Sequence, residues 1–220
     1  MSPGPTFLYL HGFASSAAST KARAFVAWGL EHGVDVQALD LRAPSLEHLR
    51  FSAIKARVHA AIGAGGPRNR VVLVGSSLGG LTALRVAEEE PRVAAVFLMA
   101  PALRLVEQWR ARLGEAAWTR WRETNAFEVT DYATNRKTNV DFRFVEELAE
   151  LDSGDPDVRV PMCIVHGTRD DVVDIERSRL YVSERRHARL VEVDDGHELN
   201  DSLSRIRAEA STFLRPFGIQ

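Results

Sequence analysis

The sequence has a single cysteine, almost no charge imbalance, and no apolar stretch approaching the ~20 residues of a membrane span. Each scarcity excludes something. With one thiol, Cys163 inside "VPMCIVHG", no intramolecular disulfide forms and a reducing compartment is compatible. The expected state of Cys163 is a small, inert strand residue in the core. Lys and Arg number 28 against 30 Asp and Glu, so no broad basic surface attracts phosphate backbones and nucleic acid is not an expected partner. The opening "MSPGPTFLYLHG" has too short an apolar run, and too uncharged a start, for a secretory leader. A cytoplasmic protein without a membrane span is the expectation. Fixed-period repeats are lacking, and low complexity is confined to "GAGGP" at Gly63 to Pro67.

What is present is an alternation. The runs "TFLYL", "DVQALDL", "RVVLVG", "VAAVFLMA", "MCIVHG" and "ARLVEV" read as strands. Between most of them lie segments with helical spacing: Lys21 to Glu31, Leu46 to Ile62, Leu78 to Glu89, Ile175 to Arg186 and Leu203 to Leu214. Nearly all-apolar central runs predict an α/β fold: a mostly parallel sheet of about six strands, helices on both faces, joined by right-handed crossovers. At 220 residues the chain is expected to form a single domain, 1–220.

Residues 104–151 break the rhythm, because they separate two predicted strands by more than a crossover helix requires. The segment reads as an insertion carrying Trp109, Trp118 and Trp121 among many arginines. Two readings stand side by side: a lid over a site, or an irregular excursion whose tryptophans pack on the body.

In open parallel sheets, ligands bind beyond the carboxyl ends of the strands, so the residues just after each apolar run carry the chemistry. "RVVLV" is followed by Gly75-Ser76-Ser77-Leu78-Gly79. A GxSxG frame centred on Ser77 puts Gly75 and Gly79 where a sharp strand-to-helix turn leaves no room for a β-carbon; centred on Ser76 it would put Val74 and Leu78 there. Ser77 is therefore the candidate nucleophile, with the N-terminus of a helix behind it.

Serine needs a histidine base, and that base needs an acid to hold its tautomer. His32, His48 and His59 fall in or beside predicted surface helices, and His187 precedes its strand, at the wrong edge of the sheet. His166 sits at the right end but inside a tight "HGT" connection, where fixing the loop by hydrogen bonding is its expected task. His197, after the last strand and next to Gly196, is the candidate base. For the acid, Asp170 follows "MCIVHG" at the correct end; Asp171 is held in reserve and otherwise reads as a loop or capping carboxylate. Asp174 reads as a helix N-cap, and Asp194 and Asp195 as loop carboxylates bonding local backbone. Acyl transfer also needs donors for the developing oxyanion, and the backbone amides of Phe13, in "HGF", and Leu78 fit. His11 is expected to be structural, since one histidine suffices for a triad.

The order serine, acid, histidine resembles the α/β-hydrolase superfamily over nearly the whole chain apart from the insertion. "FLYLHGFASSAASTKA" and "VGSSLGGLTAL" look like the small bacterial esterases of the YqiA type. "HGTRDDVVD" and the placement of the insertion are similar to the mycophenolic acid acyl-glucuronide esterase group. The resemblance implies a compact α/β-hydrolase fold, a Ser77–Asp170–His197 triad, and an oxyanion hole from the Phe13 and Leu78 amides. It also implies hydrolysis through an acyl-enzyme with no metal or organic cofactor. The chain departs from larger members by starting almost at the strand before "HGF", without room for two earlier antiparallel strands.

The function expected on these grounds is a carboxylesterase-type serine hydrolase acting on a small-molecule partner, a small or medium acyl ester, with thioesters as a variant. The same triad serves amide or carbon–carbon hydrolysis, and the same fold serves a silent binding module, which has no need of all three residues. With the insertion closed over Ser77, Trp109, Trp118, Trp121 and Phe127 are expected to line an acyl pocket, and Arg104, Arg110 or Arg112 to meet an anionic leaving group.

Overall fold

The computed structural model describes residues 4–152 and 154–219. The leader reading above extends over residues 1–3, which lie outside them.

Six strands form one sheet: β1 (Thr6–Leu10), β2 (Val36–Leu39), β3 (Val71–Ser76), β4 (Val93–Met99), and, after the insertion, β7 (Met162–Gly167) and β8 (Ala188–Val193). Their order is β2-β1-β3-β4-β7-β8 and all neighbours are parallel. Five helices fill the crossovers and the C-terminus: α1 (Thr20–Glu31), α2 (Phe51–Ala64), α3 (Leu78–Glu89), α6 (Ile175–Ser183) and α7 (Leu203–Leu214). The chain leaves β1 in one direction and returns to β3 on its other side, so a crevice opens at the carboxyl ends of β1 and β3.

Strand periodicity divides the apolar residues between two cores. Leu8, Leu10, Leu73, Val96, Leu98 and Ile164 face α2, α3 and the insertion. Phe7, Tyr9, Val72, Val74, Phe97 and Cys163 face α1 and α7. Every residue of β3 and β4 is buried, which is why these two strands read as continuous apolar runs. Burial pushes the Cys163 thiol up to about 12, so it stays protonated and inert, as expected.

Two helix boundaries differ from expectation. α2 begins at Phe51 rather than Leu46: Leu46 and Leu49 are buried from an irregular lead-in whose spacing imitates a helix, with the Arg50 amide donating to the Ala43 carbonyl. α6 stops at Ser183, before Arg186.

The 104–151 segment is regular. It contains α4 (Leu105–Thr124), kinked at Gly114 with φ 75°, an antiparallel hairpin of β5 (Phe127–Asp131) and β6 (Arg136–Val140), and α5 (Arg143–Leu151). Trp121 is fully buried, donates to the Val140 carbonyl at 2.9 Å and stacks on Phe127 with centroids 4.7 Å apart. Trp118 packs edge-on against Phe142 at 5.4 Å. The hairpin turn is tied to the loop after β1 by the Tyr132 amide, which donates to the Ala14 carbonyl at 3.0 Å. Among the described residues no helix is long and apolar enough to cross a membrane.

Candidate active site

At the end of β3 the backbone turns so sharply that Ser77 takes φ 53° and ψ −118°, a strained conformation for a residue with a β-carbon. The glycines around it make the turn sterically possible. A β-carbon on Gly75 would lie 2.5 Å from the Gly79 carbonyl oxygen, and one on Gly79 would collide with the Leu10 carbonyl. Gly12 lets the loop after β1 approach closely, since its β-carbon would sit 3.2 Å from Ser77 Cβ. The Ser77 amide donates to the Met99 carbonyl at 2.9 Å, anchoring the turn to β4.

His197 arrives from the loop after β8. Asp195 shapes that loop: its carboxylate accepts from the amides of Gly196 at 2.7 Å and Ser202 at 2.9 Å, the local backbone role expected of it. His197 Nε2 lies 3.1 Å from Ser77 Oγ, and Nδ1 lies 2.8 Å from Asp170 Oδ2. Nδ1–H therefore donates to the carboxylate and leaves Nε2 as acceptor of the serine hydroxyl proton.

The Asp170 side chain is fully buried. Its Oδ1 accepts from the amides of Val172 and Val173, each at 2.8 Å, and its Oδ2 is shared by His197 and by His166 Nε2 at 3.1 Å. Burial pushes this carboxyl up, but the hydrogen bonds from His166 and His197 outweigh it and hold Asp170 well below the usual carboxylate range. His166 does fix the loop, through Ser178 Oγ at 2.8 Å and the Val173 carbonyl at 3.1 Å, and it also touches the acid itself. Asp171, the reserve acid, is exposed, and Asp174 caps α6 by accepting from the Glu176 amide at 3.0 Å.

His11 is buried and structural. Nδ1–H donates to the Gly12 carbonyl at 2.8 Å, and Nε2 accepts from the Leu41 amide at 2.9 Å. Burial lowers its pKa, which keeps the ring neutral and able to accept. Among the described residues, the amides of Phe13 and Leu78 donate to no other backbone group. Both residues line the Ser77 cavity, so their donors are free to meet an oxygen there.

That cavity is about 560 Å³ and includes Ser77, His197, Phe13, Leu105, Trp109 and Tyr132 in its lining. Trp109 is the member of the four expected aromatics that reaches it. Trp118, Trp121 and Phe127 do not, because they pack against one another and Phe142 inside the insertion. The arginine expectation also needs correction. Arg104 pairs with Asp155 at 3.0 Å, Arg110 with Glu115 at 2.7 Å, and Arg112 is exposed; none lines the cavity, whereas Lys21 and Arg23 do. No motif marks Tyr9, Lys21 or Asn200: strand pairing brings in the first, the start of α1 the second and the loop after β8 the third. Among the described residues, no three His, Cys, Asp or Glu side chains converge as metal ligands would.

Comparison with known families decides the chain's kinship. A family model for UPF0227, an uncharacterised protein family, matches residues 6–213. The chain belongs to the UPF0227 family. No curated protein matches this UPF0227 chain. Among solved structures it is similar to Est1E from Butyrivibrio proteoclasticus with ferulic acid bound, at TM-score 0.82 and 18% identity, covering 97% of this chain and 89% of that one. It is also similar to mouse alpha/beta hydrolase domain-containing protein 10, at TM-score 0.79 and 18% identity, covering 97% and 92% of the two chains. An esterase from Pyrococcus furiosus aligns at TM-score 0.65 and 19% identity, covering 99% and 84%. At these identities the likeness establishes the fold, that of the α/β-hydrolases.

Proposed function

We propose that this UPF0227 protein is a serine hydrolase that cleaves small or medium acyl carboxylic esters, with thioesters as a variant of the same chemistry. The observation that carries the reading is the unbroken chain from Ser77 Oγ through His197 to Asp170, at 3.1 and 2.8 Å. Ser77 Oγ attacks the ester carbonyl while His197 Nε2 takes its proton, and Asp170 stabilises the imidazolium. The negative oxygen of the tetrahedral intermediate accepts from the Phe13 and Leu78 amides. The intermediate collapses, His197 protonates the departing alcohol, and water, activated by the same histidine, releases the acid from Ser77.

Esterases among the structural neighbours support the class of reaction, and the ferulic acid in one of them supports a small-molecule partner. The cavity supports the acyl preference, because Phe13, Leu78, Leu105, Trp109, Val172 and Val173 give it an apolar portion. In this reading residues 104–151 act as a lid within a single domain, with Trp109 over the acyl chain and Trp118 and Trp121 as the lid's own core.

Intact mass after exposure to a fluorophosphonate tests the proposal without a guess about substrate. One adduct on the wild type, lost in Ser77→Ala, is the expected result. A folded wild type that takes no adduct would remove Ser77 from the role of activated nucleophile.

A further inference from the structure

We infer that the cavity beside Ser77 accepts esters whose alcohol portion carries an anion, a carboxylate or a phosphate, held by Tyr9, Lys21 and the N-terminus of α1. The inference rests on the hydrolase reading and adds the substrate's polar half to it.

The cavity lining is divided in chemistry. Beyond the apolar residues named above, it includes Tyr9, Ser16, Ser19, Lys21, Arg23 and Glu198, two cations against one carboxylate. Tyr9 is the odd member. It is 0% exposed, and its hydroxyl has no hydrogen-bond partner among the described residues. Ser19 and Ser76 are its polar neighbours, and all three line the cavity. Leaving a buried donor unsatisfied is costly, and a strand of this core would hold phenylalanine more cheaply. A ligand oxygen entering the cavity supplies the missing acceptor.

Lys21 provides the charge. Its side chain is only 11% exposed, and Nζ donates to the Glu198 carbonyl at 2.8 Å. Nζ also forms an ion pair with the Glu198 carboxylate at 3.7 Å, a partner that is 72% exposed. An ammonium has three donors, which leaves others for the cavity. Burial pulls the Lys21 pKa down, with Glu198 opposing, as expected for a desolvated cation with incomplete compensation. Ser19 caps α1, and the first turn carries no acid. Among the described residues the Thr20 and Lys21 amides donate to no backbone group outside the helix. A lysine at the positive end of a helix is unfavourable alone and favourable once an anion sits between them.

Chemistry places the anion on the alcohol side. His197 Nε2 must deliver its proton to the departing oxygen as the ester C–O bond breaks, so the alcohol lies against His197. Lys21 is bonded to Glu198, the next residue. The acyl chain then takes the wall of Leu105 and Trp109. Water and ester give acid and alcohol, and the anion on the alcohol passes through unchanged.

The test uses butyrate esters of hydroxypropionate, of propanediol monophosphate and of neutral methoxypropanol, assayed on wild type, Lys21→Met and Tyr9→Phe, beside fluorophosphonate labelling. Wild type should prefer at least one anionic ester by about tenfold or more in kcat/KM, expressed in KM, the effect of one charge-assisted hydrogen bond in a shielded pocket. That preference should fall towards parity in Lys21→Met and partway in Tyr9→Phe, which removes a single oxygen. The two anionic arms tell carboxylate from phosphate. Wild type that labels at Ser77 yet shows no preference, or a preference that survives both substitutions, overturns this inference and leaves the hydrolase reading standing. Neither labelling nor turnover overturns both. If Lys21→Met does not fold, Tyr9→Phe alone decides: an unaltered preference refutes the site.

Discussion

Replacing Asp170 by asparagine probes the hydrogen-bond logic of the site, because its two carboxylate oxygens have different partners. Oδ1 accepts from two backbone amides, of Val172 and Val173, so an asparagine can present only its carbonyl oxygen there. The NH₂ group is thereby forced into the position of Oδ2, facing His197 Nδ1 and His166 Nε2. Two donors cannot face one another, so His197 must switch to the Nε2–H tautomer and point a proton at Ser77 instead of a lone pair. A wrong tautomer in a Ser–His–Asp chain costs about 10⁴-fold in kcat, or ~5 kcal/mol in barrier. The assay is steady-state hydrolysis of a butyrate ester at neutral pH, with far-UV circular dichroism to verify folding. Stability changes in a defined direction too. The native Asp170 carboxyl sits below its unfolded value, so its stabilising contribution is complete above about pH 4 and fades as pH falls towards the native value. The gap in Tm between wild type and Asp170→Asn, set by charge-assisted bonds of about 1–3 kcal/mol, should narrow below about pH 4. A folded Asp170→Asn enzyme with kcat within tenfold of wild type would refute this orientation argument and reopen the assignment of the acid.

Two further outcomes follow from packing. Gly79→Ala drives a methyl group into the Leu10 carbonyl, where neither backbone can yield, and should cost about 3 kcal/mol or more; thermal melting checks this, and an unchanged Tm would contradict the close approach. Trp121→Ala should cost about 3–5 kcal/mol through the cavity it leaves, while Trp109→Ala should mainly change the preference among acyl chain lengths. Melting curves beside an ester series from acetate to octanoate distinguish the two, and a reversal of the pattern would place the wrong tryptophan over the substrate.

The residues legible in the sequence are those whose role is encoded locally. Gly75, Ser77 and Gly79 announce a turn by spacing alone, and β3 and β4 announce double-sided burial by an unbroken apolar run. His197 and Asp170 each follow the carboxyl end of a predicted strand, a position that strand direction alone makes legible. The insertion was not legible in the same way. The second strand of its hairpin, "RKTNV", is polar and lacks the β-rich alternation of the main strands, and the Asp131 side chain closes the turn through Ala133 and Thr134 at 2.9 Å. Trp118 and Trp121 carried the composition of a binding wall, yet composition does not say which face of α4 meets solvent, and both turned inward.

Tyr9 and Lys21 show where local reading stops. In "TFLYL" the tyrosine is one apolar residue among five, and alternation correctly assigns it to the α1 face. What makes its hydroxyl consequential is register: β1 pairs with β3 so that Tyr9 lies opposite Val74 and Leu10 opposite Gly75, which carries the end of β1 alongside the turn bearing Ser77. A slip of one residue would send Tyr9 to the other face and leave the turn intact. The proposed nucleophile is thus specified by four or five neighbours in sequence, whereas Tyr9 beside it is placed by pairing between strands more than sixty residues apart. Substitutions at Tyr9 and Lys21 should accordingly alter which esters are chosen, and substitutions at Ser77, Asp170 and His197 whether any is cleaved.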